Sequence, residues 1–114
     1  MIRVILESPF AADCPKEHAA NVAYARQCVV HSLSLGESPL ASHLLYTQPG
    51  VLDDTDPAQR ALGIAAGHAW FSSANRCVVY IDRGISDGMR EGMEQAMRYN
   101  VPILQRSILN IDHQ

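Results

Sequence analysis

The sequence predicts an α/β domain of three layers: a parallel sheet of about four strands with helices on both faces. Three observations predict it. Short apolar runs alternate with helical segments in the order β-α-β-α-β-α-β, the pattern of parallel strands joined by crossover helices. The run Cys77-Val-Val-Tyr-Ile81 is rich in β-branched residues and has no polar face, as suits a strand covered on both sides. After a loop containing Gly84, Met89, Met93, Ala96 and Met97 recur at helical spacing behind the N-cap candidates Ser86 and Asp87.

The remaining elements follow in order. Ile2 to Leu6 reads as a central strand, closed by Glu7-Ser-Pro-Phe, where Pro9 ends ladder pairing. Lys16 to Leu35 reads as a helix with an apolar stripe of Ala19, Val22, Ala25, Val29 and Leu33, stopped by Gly36. A second strand is expected over 38–42, at an edge because of Pro39. The connection from His43 to Pro57 is long, and long ordered connections are often functional. Asp56-Pro57 is a good helix start, and this helix is expected to run to about Ser73 with Leu62, Ala65, Ala66, Ala69 and Ser73 on one side. Gly63 and Gly67 on it would admit a close neighbour. Asn100 ends the last helix and Val101 to Leu104 forms the last strand. The first and third strands are expected to be adjacent. The tail from Ser107 is expected to pack on the domain or on a neighbouring subunit.

Composition excludes several classes of function. The chain has 114 residues, which fits one domain spanning 1–114, and 47% of them are hydrophobic. A net charge of −3 offers no basic face for a nucleic-acid duplex. No apolar run is long enough to span a membrane, and Met1-Ile-Arg-Val-Ile-Leu reads as a strand rather than a signal peptide. Cys14, Cys28 and Cys77 have neither paired nor metal-type spacing, so no metal site and no cofactor are expected. A reducing, cytoplasmic compartment fits best.

In an open α/β sheet, ligands bind in the crevice at the carboxyl ends of the strands. Glu7-Ser8-Pro9-Phe10, Ser42-His43-Leu44-Leu45-Tyr46, Asp82-Arg83-Gly84-Ile85 and Ser86-Asp87-Gly88-Met89 all fall on that edge. Each has a structural alternative. Glu7 serves equally as a solvated strand end, Asp82 as a turn cap, Phe10 and Tyr46 as core aromatics, and His43 as a hydrogen-bonded structural histidine. Trp70 reads as packing, and Arg60 as a partner of the acidic loop before it. The convergence of aromatic, hydroxyl, imidazole and carboxylate groups favours a site. In it, Phe10 and Tyr46 offer aromatic faces, Ser8, Ser86 and His43 offer hydrogen bonds, and the N–H groups of Gly88 and Met89 face the crevice. Asp87 points away from a phosphate or binds a sugar hydroxyl.

Taken in order, the motifs resemble the nucleoside 2-deoxyribosyltransferase-like superfamily, which includes deoxynucleotide N-hydrolases and small, often phage-encoded relatives. The resemblance runs from Ile2 to about Gln105. It rests on Glu7-Ser-Pro-Phe, Asn21-x-x-Tyr24-Ala25-Arg26, Pro39-Leu-Ala-Ser-His43-Leu-Leu-Tyr and Ser86-Asp-Gly-Met, with Ala96 and Val101-Pro102 further on. It implies a flavodoxin- or Rossmann-like domain that binds nucleosides or nucleotides and forms homo-oligomers, and it adds Tyr24 and Arg26 to the ligand-binding set. It also implies a catalytic glutamate six residues after the serine of the last motif, where this chain has Gly92.

Glu91 and Glu94 flank that glycine but lie mainly off the buried stripe of the helix. Glu7 or Asp82 could supply a carboxylate from another strand end. Two readings follow. In the first, the chain binds a nucleotide or nucleotide-derived signal without standard glycosidase chemistry, as a protein that sequesters such a signal would. In the second, Glu91, Glu7 or Asp82 supports N-glycosidase or deoxyribosyltransferase activity.

Overall fold

The structure is a computed structural model that describes residues 1–109. The last residues of the tail, 110–114, lie outside the described residues. Four strands form one sheet, β1 (Ile2–Glu7), β2 (Glu37–Leu40), β3 (Arg76–Tyr80) and β4 (Ile103–Arg106), in the order β2-β1-β3-β4. Every pairing is parallel, with Ile2 opposite Glu37, Val4 opposite Arg76, and Cys77 opposite Ile103 at the starts of the three ladders. The first and third strands are neighbours, as expected. The helices are α1 (Pro15–Ser34), α2 (Ser42–Leu45), α3 (Pro57–His68) and α4 (Asp87–Arg98).

Strand alternation divides the core in two. Val4, Leu6, Val78 and Tyr80 pack with Tyr24 and Cys28 of α1 on one face. Ile5, Cys77 and Val79 pack with Phe71, and with Met89 and Ala96 of α4, on the other. Cys77 to Tyr80 are completely buried, so β3 has no solvent face, in keeping with its unbroken apolar sequence.

Four details depart from expectation. β2 begins at Glu37 rather than 38, and Ser42 opens a helical turn instead of ending the strand, because the N–H groups of Leu44 and Leu45 both close onto the Ala41 carbonyl. β4 lies later than Val101–Leu104. Val101 is still bonded back to Ala96 of α4, and Asn100 takes the left-handed turn at φ +57° that redirects the chain. The helix expected to reach Ser73 tightens after His68 into a 3₁₀ turn, Ala69–Ser73, which drives Phe71 into the core. Leu62, on the side expected to pack, is 60% exposed, whereas Gly67 is buried. A Cβ at Gly67 would lie 2.5 Å from the Ser42 hydroxyl, so this glycine is what lets α2 and α3 touch.

The inward face of α1 is also rotated from the expected stripe. It consists of Asn21, Tyr24, Ala25, Cys28 and Ser32, while Leu33 is half exposed. The two buried polar residues are satisfied from a distance. The Asn21 amide donates to the Phe10 carbonyl at 3.3 Å, and the Ser32 hydroxyl donates to Glu37 at 2.7 Å.

Glu37 is the centre of that face. Arg106 donates to both of its carboxylate oxygens, at 2.7 and 2.6 Å, and Arg76 donates at 3.2 Å. The Arg106 hydrogen bonds outweigh burial and hold the Glu37 carboxyl at about 2, against an ordinary 4.5. A carboxyl with a depressed folded-state pKa contributes stability above its unfolded value and loses it as the pH falls towards the folded value. Glu37→Gln is therefore expected to cost about 3 kcal/mol at neutral pH, the scale for breaking a buried ion pair from one side. The deficit should shrink as the pH drops from 4.5 towards 2, which denaturant titrations of both proteins across that range would measure.

Candidate functional site

The carboxyl end of β1 shapes the site. By the alternation that sends Ile5 to the α4 face, Glu7 also points there, and it arrives above Gly92 of α4. A Cβ built on Gly92 would lie 2.5 Å from the Glu7 carboxyl carbon and 2.5 and 2.8 Å from its oxygens. The absent side chain of residue 92 is thus the seat of the Glu7 carboxyl. No described residue hydrogen-bonds to that carboxyl, and burial alone pushes its pKa from 4.5 up to about 8. At neutral pH Glu7 is mostly a neutral acid, able both to donate and to accept.

Above it lies a cavity of about 350 Å³, within the range of small-molecule sites. β1 and the following loop supply Glu7, Ser8, Phe10 and Ala11; α2 and its exit supply Ser42, His43, Tyr46 and Thr47. α3 and the turn after it contribute Gly63, Gly67, His68 and Phe71, and α4 contributes Asp87, Gly88, Met89 and Glu91 behind its cap, Ser86. The Ser8 hydroxyl and the His43 ring Nε2 are 2.7 Å apart, and burial lowers the His43 pKa to about 4, so the ring is neutral. The Phe10 ring stands edge-on to both His18 and His43, with centroids 4.7 and 6.1 Å away. Tyr46 accepts a hydrogen bond from the indole of Trp70 at 2.9 Å, which fixes its ring at the wall.

The structure therefore brings together Glu7, Ser8, Phe10, His43, Tyr46, Ser86, Asp87, Gly88, Met89 and Glu91. It does not bring Tyr24, Arg26, Asp82 or Gly84 to this cavity. Asp82 is committed elsewhere. Burial would raise its pKa, but the Ser107 and Tyr24 hydroxyls and the N–H groups of Ile108 and Leu109 bring it down to about 2. It fastens the start of the tail to α1, and Tyr24 is spent on the same bond. Arg26 is exposed on α1, and Gly84 makes a turn at φ +87°. Of the two N–H groups expected to face the crevice, that of Met89 is already taken by the Ser86 hydroxyl at 3.3 Å.

Sequence reasoning missed several wall residues. Asp54 comes from the long connection, and Arg60 reaches it at 2.8 Å, the pairing expected of Arg60 but at the rim of the cavity. His68 closes α3 and carried no signal, and Phe71 carried none because only the 3₁₀ turn after α3 aims it inward. Gly63 and Gly67 read as points of close approach; they also leave room for the cavity wall. Among the described residues there is no cluster of histidine, cysteine and carboxylate groups suited to a metal ion.

Comparison with known proteins agrees with this architecture. The solved structure of a 2-deoxyribosyltransferase from the psychrotolerant bacterium Bacillus psychrosaccharolyticus superposes with a TM-score of 0.64, over 92% of this chain and 72% of that one. That protein is described as a biocatalyst for the synthesis of antiviral and antitumoral nucleosides. Sequence identity is 18%, so the likeness is one of fold. No curated protein matches the sequence. A family of proteins does match, over residues 2–106, nearly the whole described chain. The chain belongs to the family described as Domain of unknown function (DUF7768).

Proposed function

We propose that this protein binds a nucleoside or nucleotide in the cavity above Glu7. The observation that carries the reading is the cavity's make-up: an aromatic wall from Phe10, a neutral Ser8–His43 pair, and an unpartnered carboxyl at the floor, at the carboxyl end of β1. Binding without turnover is what sequestering a nucleotide signal requires. The protein would act inside the cell and as a homo-oligomer.

One observation favours a second reading, cleavage of the base–sugar bond. Glu7 occupies the space that a side chain at residue 92 would fill, and it holds a proton at neutral pH. In this reading the Glu7 acid donates its proton to the base as the bond to the anomeric carbon breaks, and water adds to that carbon. The proton released by the water returns to the Glu7 carboxylate.

Incubation with a panel of nucleosides and nucleotides, followed by denaturation and chromatography, separates the two. Intact ligand is expected; free base with free sugar would establish the second reading, and Glu7→Gln should then abolish it. Binding of nothing in the panel would overturn both.

Gly92→Ala tests the seat itself. The new methyl group must displace the Glu7 carboxyl, the mobile end of a side chain, so the fold is expected to survive and the helix to gain up to about 1 kcal/mol of propensity. Ligand binding should weaken by about 1 kcal/mol or more, since the displaced acid loses its hydrogen bond. Thermal melts and calorimetric titration of the same variant check both halves.

Glu7 should also cost stability. Its folded-state pKa lies above the unfolded value, so the native state loses stability as the pH rises from 4.5 to about 8. Glu7→Gln is expected to be more stable than the natural sequence at neutral pH, with a gap that opens across that window and closes below it; melts over the pH series measure it.

Self-association has its own test. Leu62 and Trp70 on the outer side of α3 and its 3₁₀ turn are 60% and 47% exposed. Light scattering at micromolar concentration is expected to give a mass above that of one chain.

A further inference from the structure

The charges around the cavity bear on which form of the ligand it accepts. We propose that the cavity takes an uncharged nucleoside and discriminates against the same molecule carrying a 5′-phosphate. This rests on the reading of the cavity as a nucleoside or nucleotide site and names the class within it.

Eight ionisable groups face the cavity: Glu7, His43, Tyr46, Asp54, Arg60, His68, Asp87 and Glu91. A phosphate needs a cation or a set of free N–H donors to replace its water. The one guanidinium, Arg60, is already 2.8 Å from Asp54, so the pair presents no net charge. Both histidines are held neutral by burial, His43 with its pKa near 4 and His68 lowered from 6.5 with Glu91 pulling the other way. Asp87 and Glu91 are exposed carboxylates at the rim. Arg90, the partner of Asp87 at 3.2 Å, is not among the residues lining the cavity.

The start of α4 does not make up for this, although helix N-termini attract anions. Here that end is supplied in part, and of its cavity-lining residues Asp87 and Gly88 keep an N–H without a partner among the described residues, one on the residue that carries a carboxylate and one next to it. The Ser86 hydroxyl accepts the Met89 N–H, and Asp87 places a carboxylate in the first turn. A phosphate would therefore meet the Glu91 carboxylate, an Asp87 whose arginine lies outside the lining, and no unpaired cation. An uncharged nucleoside needs none. Its hydroxyls and base edge match the neutral groups on offer, the Glu7 acid, the Ser8–His43 pair and the Thr47 hydroxyl.

The test is calorimetric titration with the common ribo- and deoxyribonucleosides and with their 5′-monophosphates, in low and in near-physiological salt. The nucleoside that binds is expected to do so at least tenfold more tightly than its monophosphate, with the ratio narrowing as salt screens the rim. Glu91→Gln should narrow it further. A monophosphate that binds as tightly as its nucleoside, or more tightly, overturns the proposal and leaves the nucleotide-binding reading standing. If neither class binds, the reading of the cavity falls, and the proposal with it.

Discussion

The sheet depends on how one carboxylate is held. Glu37 opens an edge strand, and its two oxygens are claimed by Arg106 from the opposite edge and Arg76 from the strand between. With Ser32 of α1 on the same group, one side chain ties three strands and a helix together beneath α1. Such a cluster is costly to assemble from water, and it holds because every charged atom finds a partner. Tyr80 joins through Arg106 and His31, so the end of the central strand is registered to the same network.

Three acids at strand ends or loop starts meet three fates, and the differences set Glu7 apart. Glu37 is paired with arginines, and Asp82 is surrounded by hydroxyl and N–H donors. Both are ionised, and both are structural. Glu7 alone is left without a partner, on the face of the sheet away from α1. A half-buried carboxyl with no hydrogen bond that faces a cavity is a candidate for function. The same sheet thus separates a face that secures the fold from an edge of the other face where the cavity opens.

Much of this was legible in the sequence, and the gaps have physical causes. β3 was plain because both of its faces are buried, and α4 because its cap and methionine spacing agree with each other. The inward face of α1 was not, because Asn21 and Ser32 are buried by virtue of hydrogen-bond partners outside the helix, which no periodicity can register. Asp82 and Glu7 looked alike as strand-end acids. What separates them is that Ser107, Ile108 and Leu109 come back over one, whereas Gly92 lies beneath the other. Gly92 was visible where the resemblance implies a glutamate, but the sequence could not show that a residue 85 positions earlier fills the space beside it.

That shared space ties the histories of two positions. The room between β1 and α4 is filled by one acidic side chain, so a side chain at residue 92 enters it only by pushing the Glu7 carboxyl out of its seat. A change of Gly92 to glutamate would be obstructed while Glu7 remains, and shortening Glu7 first would leave the floor with no acid at all. The two positions are therefore coupled: what a side chain at residue 92 does depends on the side chain at residue 7, and a strand-borne acid and a helix-borne one compete for the same room.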